Sequence, residues 1–575
     1  MELNRLPFSV VLLSFVTSAY SQTIAAVGSS SAAGASGPLT PSYAGFGIEP
    51  SNLFSFTGGN SENALSTQLL QNLADYSGAP PHVRLGGNTG DYMVYDEDYS
   101  NYDFQRNGQD FYASDYLTFG PDFFRALNRF PSGTPVTYQL NGAYNDPDYI
   151  EVIVREAQAA LDNIGDLKLY SFEIGNEPDL WNQNGFRPGA WSGQIYTQEF
   201  KDRASAVYEQ VLKPAGMSAQ FFEAPATAST IGTTFTTNNL ESYDLLQGVN
   251  GSGNFIASWN QHNYFYFVDV TPYPLTLDHL MELSNTESQF AHWASEVKDS
   301  LATGLPYNLR EMASAGPIGL PDISNTFGAS LWNLNFFLYA ATLNISSVQM
   351  HMTDNSYASP WMPFTRTGYQ IGVRPSYYAF AAFTQILGSG NGTTQVAPVT
   401  PSGLSGDYTN YVRSYSIYTG QEIAAIVVVN SKQANESTAN KGGLTFRLTQ
   451  LPAGETLYLS YLTAAGADSL DGTTWNGISY EGGSNDGNPR TVNETIATVT
   501  VGSNGEASVY VRDSQAVVAN IGFQLGTQDV TVAGGTSGTT RRPSAASSTT
   551  GQGAKSAVLL SFLTMAVLAI LSGQI

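Results

Sequence analysis

The chain has 575 residues, 42% of them hydrophobic and only 13% charged, with a formal net charge of −24 and no cysteine. Such a length supports a large core without disulfides, which a cysteine-free chain needs even in an oxidising compartment. The acidic balance argues against nucleic acid and against an electrostatically held anionic membrane, and any ligand carboxylate must be recognised by local donors rather than by the overall field.

Residues 1–21 carry one cation at Arg5, an apolar run from Leu6 to Val16 and small residues at Ala19 and Ser21. This is the pattern of a cleaved secretory signal, so the mature chain is expected to begin near Gln22. Residues 22–40 form a linker whose first part, 22–27, is strand-like and is expected to join a later β-sheet. From 41 to 387, β-rich runs alternate with helical stretches, the signature of a parallel α/β fold. Eight strands are predicted at 43–49, 82–88, 135–141, 168–175, 219–224, 255–262, 307–311 and 347–352, with helices at 62–76, 149–163, 197–212, 277–301 and 326–343. Eight units over about 340 residues suit a closed (β/α)8 TIM barrel. A doubly wound open sheet would place a phosphate-binding glycine pattern before a helix, and Gly45-Phe46-Gly47-Ile48-Glu49 does not lead directly into one.

Beyond Leu387, helical periodicity disappears, and alternating runs at 411–418, 422–429, 456–462 and 507–512 predict an antiparallel β-sandwich over 388–525. Residues 526–552 read as a Ser/Thr/Gly-rich stalk. In the last segment, 553–575, the apolar run 557–571 is short for a spanning helix and no cation follows it. Small residues at 544–548, a polar spacer through Lys555 and this tail predict a glycosylphosphatidylinositol (GPI) anchor, a tail-anchored transmembrane helix being the alternative. Sequons at Asn250, Asn344, Asn391, Asn435 and Asn493 are open to glycosylation in the secretory pathway. The expected location is extracellular, at the cell surface, with membrane contact only through the anchor.

Phe172 and Ile174 share one face of the fourth strand, and Gly175-Asn176-Glu177-Pro178 ends it. The Glu177 carboxyl therefore sits where a buried strand meets a loop, the place where barrel enzymes keep catalytic acids; a structural strand cap is the alternative. A partner is expected at the end of a strand across the barrel. The seventh run ends in Glu311, before a loop with Gly316, Pro317, Gly319 and Pro321. Two carboxyls about 5 Å apart across one pocket are what double displacement at an anomeric carbon requires, with Glu177 as acid/base and Glu311 as nucleophile. Their surroundings must then separate their pKa values. Arg310 is not expected to pair with Glu311, because successive strand residues point to opposite faces.

Arg84-Leu85-Gly86-Gly87-Asn88, Phe172-Glu173-Ile174-Gly175-Asn176-Glu177-Pro178, Gln261-His262-Asn263-Tyr264 and Leu309-Arg310-Glu311 resemble the motifs of glycoside hydrolase family 79. That family lies in a clan of retaining glycosidases whose acid/base follows Asn on strand four and whose nucleophile ends strand seven. The resemblance runs from about Tyr43 through the β-domain. It implies a barrel with a β-sandwich, no metal or other cofactor, and hydrolysis of β-glucuronides or their 4-O-methylated relatives, with a glycan as partner.

Carried over residue by residue, the resemblance implies that Asn176 bonds the sugar 2-hydroxyl and that Tyr264 bonds the nucleophile and keeps it ionised. His262 is either an orienting neighbour of the pair or a satisfied core histidine. Glu49 and Asn88 either reach ring hydroxyls or cap their loops. The family's tyrosine for the uronate carboxylate is missing from Met312-Ala313-Ser314-Ala315-Gly316. Tyr357, after strand eight, is the candidate for that contact, provided Asp354 points away. Trp181, Trp191 and Trp361 suit stacking on sugar rings, and Tyr92, Tyr95, Tyr99 and Tyr102 are candidates for lining the same groove. Two other readings stay open: a retaining β-glycosidase for a neutral or internal bond, and an inactive surface-anchored carbohydrate-binding or wall protein.

Overall fold

The structure, a computed structural model, describes residues 22–25, 34–108, 115–528 and 530. The predicted leader, almost all of the stalk and the apolar tail lie outside the described residues. Eight parallel strands close a barrel in chain order: β1 Ala44–Ile48, β2 Val83–Leu85, β3 Pro135–Leu140, β4 Lys168–Ile174, β5 Phe222–Thr227, β6 Ile256–Tyr264, β7 Tyr307–Ala313 and β8 Ser347–Met352, with β8 pairing back onto β1. β5 reaches further along the chain than its predicted span. Pro225, which lacks a ladder donor, lies inside the strand opposite Asn260, and pairing resumes at Thr227.

The strands alternate apolar and polar because the barrel interior is itself polar. Phe46, Val83, Leu85, Val136, Phe172, Ile174, Leu309 and Met350 join the hydrophobic core under the surrounding helices. Residues of the other set bond across the barrel between strands that are not neighbours. Arg84 of β2 meets Glu173 of β4 at 2.8 Å, and Arg310 of β7 meets Glu223 of β5 at 2.6 Å. Both pairs are buried, so each charge is tolerated only because its partner is in place. Strict alternation fails at several points, at pairings of β3 with β4, β5 with β6 and β6 with β7, and the pairing of β7 with β8 slips between Leu309 and Met312. At that irregularity Arg310 and Glu311 both reach polar partners inside the barrel, yet Arg310 bonds Glu223 while Glu311 bonds Arg84.

The β-domain consists of a nine-stranded and a three-stranded sheet. The strand Glu422–Asn430 in the larger sheet is apolar on both faces because both are covered. Ile426 and Val428 pack with Phe446, Leu448, Val509 and Val511 of the smaller sheet. Ala425, Val427 and Val429 belong to the barrel's own core cluster, with the helices Phe327–Thr342 and Pro375–Ser389. Those two helices are buried on nearly every face, as their continuous apolar sequences demand. The strand Gln22–Ala25 completes the smaller sheet in parallel pairing with Gly443–Thr449, with Ile24 fully buried. Among the described residues no helix is long and apolar enough to cross a membrane.

Candidate active site

At the C-terminal end of β4 the chain turns through left-handed backbone at Gly175 (φ 80°) and again at Glu177 (φ 46°). A side chain at Gly175 would meet the Trp181 ring at 2.2 Å, so glycine is required there. Glu177 adopts a conformation that non-glycine residues seldom hold without support. Its N–H donates to Ala226 O at 2.9 Å, and the next acid, Asp179, accepts from Ala228 N (2.9 Å) and Ser229 N (3.1 Å). The β5 loop thus fastens the turn that presents Glu177.

Glu311 faces this turn. Arg84 Nη1 donates to its Oε2 at 2.6 Å and the Tyr264 hydroxyl to its Oε1 at 2.7 Å. His262 Nδ1 lies 2.9 Å from Glu177 Oε1 and 3.9 Å from Glu311 Oε2. His351, at the end of β8, stands 3.8 Å from Glu311 Oε2 on one ring nitrogen and 3.6 Å from Glu49 Oε2 on the other. Carboxylate oxygens of Glu177 and Glu311 and the His262 nitrogen lie within 4.8 Å of one another. That trio has donors suitable for a cation, but the Arg84 guanidinium, 2.6 Å from Glu311 Oε2, would repel one.

The surroundings drive the two carboxyls in opposite directions. Burial, and then the negative charge of Glu311, push Glu177 up to about 8. Burial alone would raise Glu311 too, but the imidazoles of His351 and His262, the Arg84 guanidinium and the Tyr264 hydroxyl outweigh it and hold Glu311 well below the usual carboxylate range. Arg84 and Tyr264 provide this support throughout the neutral range: burial would lower Arg84, but Glu173 and Glu311 outweigh it and raise Arg84 further, and Tyr264 is pushed well up by burial and keeps its proton. Burial lowers His262 to about 4, so it is neutral beside Glu177 near pH 7. A protonated carboxyl facing an ionised one at this distance can protonate a leaving oxygen on one side of a carbon and attack that carbon on the other.

Asn176 accepts from Arg84 Nη2 at 2.8 Å through its side-chain oxygen, which directs its NH2 group toward Asn88 Oδ1 at 3.0 Å. Glu49 accepts from the Thr89 N–H at 2.7 Å, and its carboxylate packs where a side chain on Gly87 (φ 150°) would stand. His262 and Tyr264 therefore touch the carboxylate pair directly, Asn176 and Glu49 reach it through Arg84 and His351 respectively, and Asn88 reaches it only through Asn176. Tyr357 does not reach it: its ring packs on Tyr369 at 4.9 Å, and the Arg374 guanidinium lies 5.9 Å from both rings. Asp354 is engaged with Arg366 and accepts from Ser55 Oγ at 2.6 Å.

The aromatic residues expected to stack on sugar mostly pack on the protein. Trp361 is wholly buried, edge-on to Phe46 at 5.1 Å, with its indole N–H on Ser66 Oγ. Trp181 is buried against Trp191 at 5.6 Å, with Arg187 4.8 Å from its ring. Tyr95 lies in the core between Phe119 and Phe124, Tyr92 packs on Phe186, Tyr99 bonds Asp103, and Tyr102 lies against Phe54 and Arg129. Loop tryptophans and tyrosines are as well suited to building a wall as to lining a groove, and spacing does not separate the two uses. Sequence reading left Arg84 and His351 without roles. The available signal was a lone cation, and a lone imidazole, in otherwise buried strand segments.

The glycosyl hydrolase family 79 C-terminal beta domain matches residues 414–518. A β-glucuronidase of Aspergillus niger is 30% identical over 515 residues, covering 84% of this chain and 91% of its own. A β-glucuronidase of Neurospora crassa is 27% identical over 489 residues, covering 77% and 85%. Among solved structures, the 4-O-α-L-rhamnosyl-β-D-glucuronidase of Fusarium oxysporum 12S matches with a TM-score of 0.70 at 23% identity, over 87% of this chain and all of that one, a likeness of fold.

Proposed function

The chain belongs to glycoside hydrolase family 79, and from that premise we propose that it is a retaining β-glucuronidase that removes β-linked glucuronate, or its 4-O-methyl form, from extracellular glycans. The observation that carries this reading is the Glu177–Glu311 pair, within 4.8 Å and of opposite protonation. Glu311 attacks the anomeric carbon as Glu177 gives its proton to the departing glycosidic oxygen, forming a covalent glycosyl ester. Esterification removes the charge of Glu311, one of the groups that raises Glu177. The pKa of Glu177 then falls, so the carboxylate left after proton transfer stays ionised and is available as the base for the water that cleaves the ester. Asn176, oriented by Arg84, offers its NH2 group to the 2-hydroxyl.

The uronate preference rests on the names of the two curated relatives, both β-glucuronidases. The engagement of Tyr357 with Tyr369 and Arg374 favours a second reading, in which the same pair cleaves a neutral β-glycoside. Initial rates of 4-nitrophenol release from the β-glucuronide and the β-glucoside at mildly acidic pH, with Glu311→Ala as blank, separate the two. Release from the glucoside alone discards the uronate, and silence on both discards exo-glycosidase action.

The leader-like and tail-like ends of the sequence support secretion and a GPI anchor at the cell surface, with glycosylation at some of the five sequons. Phosphatidylinositol-specific phospholipase is expected to release the protein from intact cells. Retention on the cells after verified treatment would point to a transmembrane tail.

A further inference from the structure

Asp91 is a buried carboxylate that the mechanism above does not use. It lies in the short 3-10 turn Asn88–Tyr92 after β2, 5% exposed. Its oxygens accept from the backbone N–H of Asn176 (3.2 and 3.3 Å), the indole N–H of Trp181 (2.9 Å) and the Nε2–H of Gln139 (3.0 Å). The Gln139 amide cannot turn round without loss, because its oxygen accepts from Gly87 N at 2.7 Å. The same Trp181 N–H also reaches Asn176 O at 2.9 Å. Both backbone polar groups of Asn176 are thus held by the Asp91–Trp181 pair, between the two left-handed residues Gly175 and Glu177. Burial pushes the Asp91 carboxyl up to about 7, and Trp181, the Asn176 amide, Arg187 and Gln139 keep it from rising further.

We infer that Asp91 is a positioning residue for the acid/base, holding the strained turn after β4 so that Glu177 is aimed at the glycosidic oxygen. This rests on the glycosidase reading given above. The β5 loop fixes the turn from one side through Glu177 N and Asp179, and Asp91 fixes it from the β2 side. Without Asp91, two N–H groups that point into a dry interior lose their acceptor, and relaxation of the backbone carries Glu177 with it. Glu311 is held independently by Arg84 and Tyr264, so its attack is affected much less.

A misplaced acid matters only when the leaving group needs a proton. The test compares kcat/KM of the full chain and its Asp91→Asn variant on 2,4-dinitrophenyl and phenyl β-D-glucuronides, with thermal unfolding of both proteins as the check on folding. The variant puts an NH2 group where N–H donors point. It is expected to lose at least about tenfold more on the phenyl substrate, which needs the acid, than on the dinitrophenyl one. Equal loss on both substrates, or no loss, overturns the inference. Should Asp91→Asn not fold, Trp181→Phe removes the indole N–H that Asp91 and Asn176 share and keeps an aromatic ring. The same leaving-group dependence is expected of it in weaker form, and its absence counts equally against Asp91. Wild-type protein inactive on both glucuronides refutes the glucuronidase reading instead.

Discussion

Arg84 Nη1 lies 2.6 Å from Glu311 Oε2, and the same guanidinium holds Glu173 through Nε and Asn176 through Nη2. One cation on β2 therefore ties β4 to β7 and sets both the charge of one carboxylate and the orientation of one amide. A lysine has the charge but not the planar set of donors that meets three acceptors at once.

Replacing Arg84 with Met is expected to destabilise the protein by about 3–5 kcal/mol, because Glu173 is left buried with no cation. Glu311 should also take up its proton more readily, which moves the acidic limb of the pH–rate profile upward. Arg84→Lys should recover part of the stability and less of the activity. Denaturant unfolding and pH–rate profiles of the three proteins check this.

Loss of each carboxyl should leave a distinct product when azide is added. With Glu311→Ala, azide enters from the vacated face and gives a glycosyl azide of inverted configuration. With Glu177→Ala, the covalent ester still forms from an activated substrate, and azide displaces it to give a retained product. NMR of the products decides. Near-normal turnover by Glu311→Ala without azide would remove it as nucleophile.

The pH dependence follows from a protonated Glu177 beside an ionised Glu311. In the free enzyme kcat/KM should fall as pH rises through about 8, where Glu177 loses its proton. Stability should move the same way. The folded state holds this proton more tightly than the unfolded chain, so its contribution is complete below the ordinary value of 4.5 and is lost as pH rises through about 8. Glu177→Gln, which has no such proton to lose, should gain in Tm over the wild type as pH is raised from 4.5 toward 8. Thermal unfolding across that range is the measurement.

Trp361→Ala should behave as a core mutation. Its ring packs on Phe46, Phe56 and Tyr377, and its loss should cost about 3–5 kcal/mol. KM should stay unchanged at temperatures where the variant is folded, and a raised KM with unchanged stability would return Trp361 to the substrate groove.

Much of the barrel was legible because its interior is polar. With Phe172 and Ile174 facing the helices and Ser171 and Glu173 facing the polar interior, the end of β4 shows a two-residue period, and such ends mark where loop carboxyls emerge. The wiring inside was not legible. The bonds Arg84 to Glu173 and Arg310 to Glu223 join strands that are far apart in sequence, and the slip in β7 breaks the alternation on which a register argument depends. Tyr357 and the tryptophans could not be placed because a loop aromatic packs equally well on protein or on sugar, and only the surrounding side chains decide.

The pairing of Thr23 with Arg447, 424 positions away, has a consequence for synthesis. A chain made from its N-terminus must carry Ile24 through the production of the whole barrel before the sheet that buries it exists. The barrel can close in that interval, since Ile24 belongs to the other core. An apolar leading end waiting this long is a point of vulnerability to aggregation and proteases in the nascent protein. A tag placed directly before Gln22 would burden the last step of assembly, not the first.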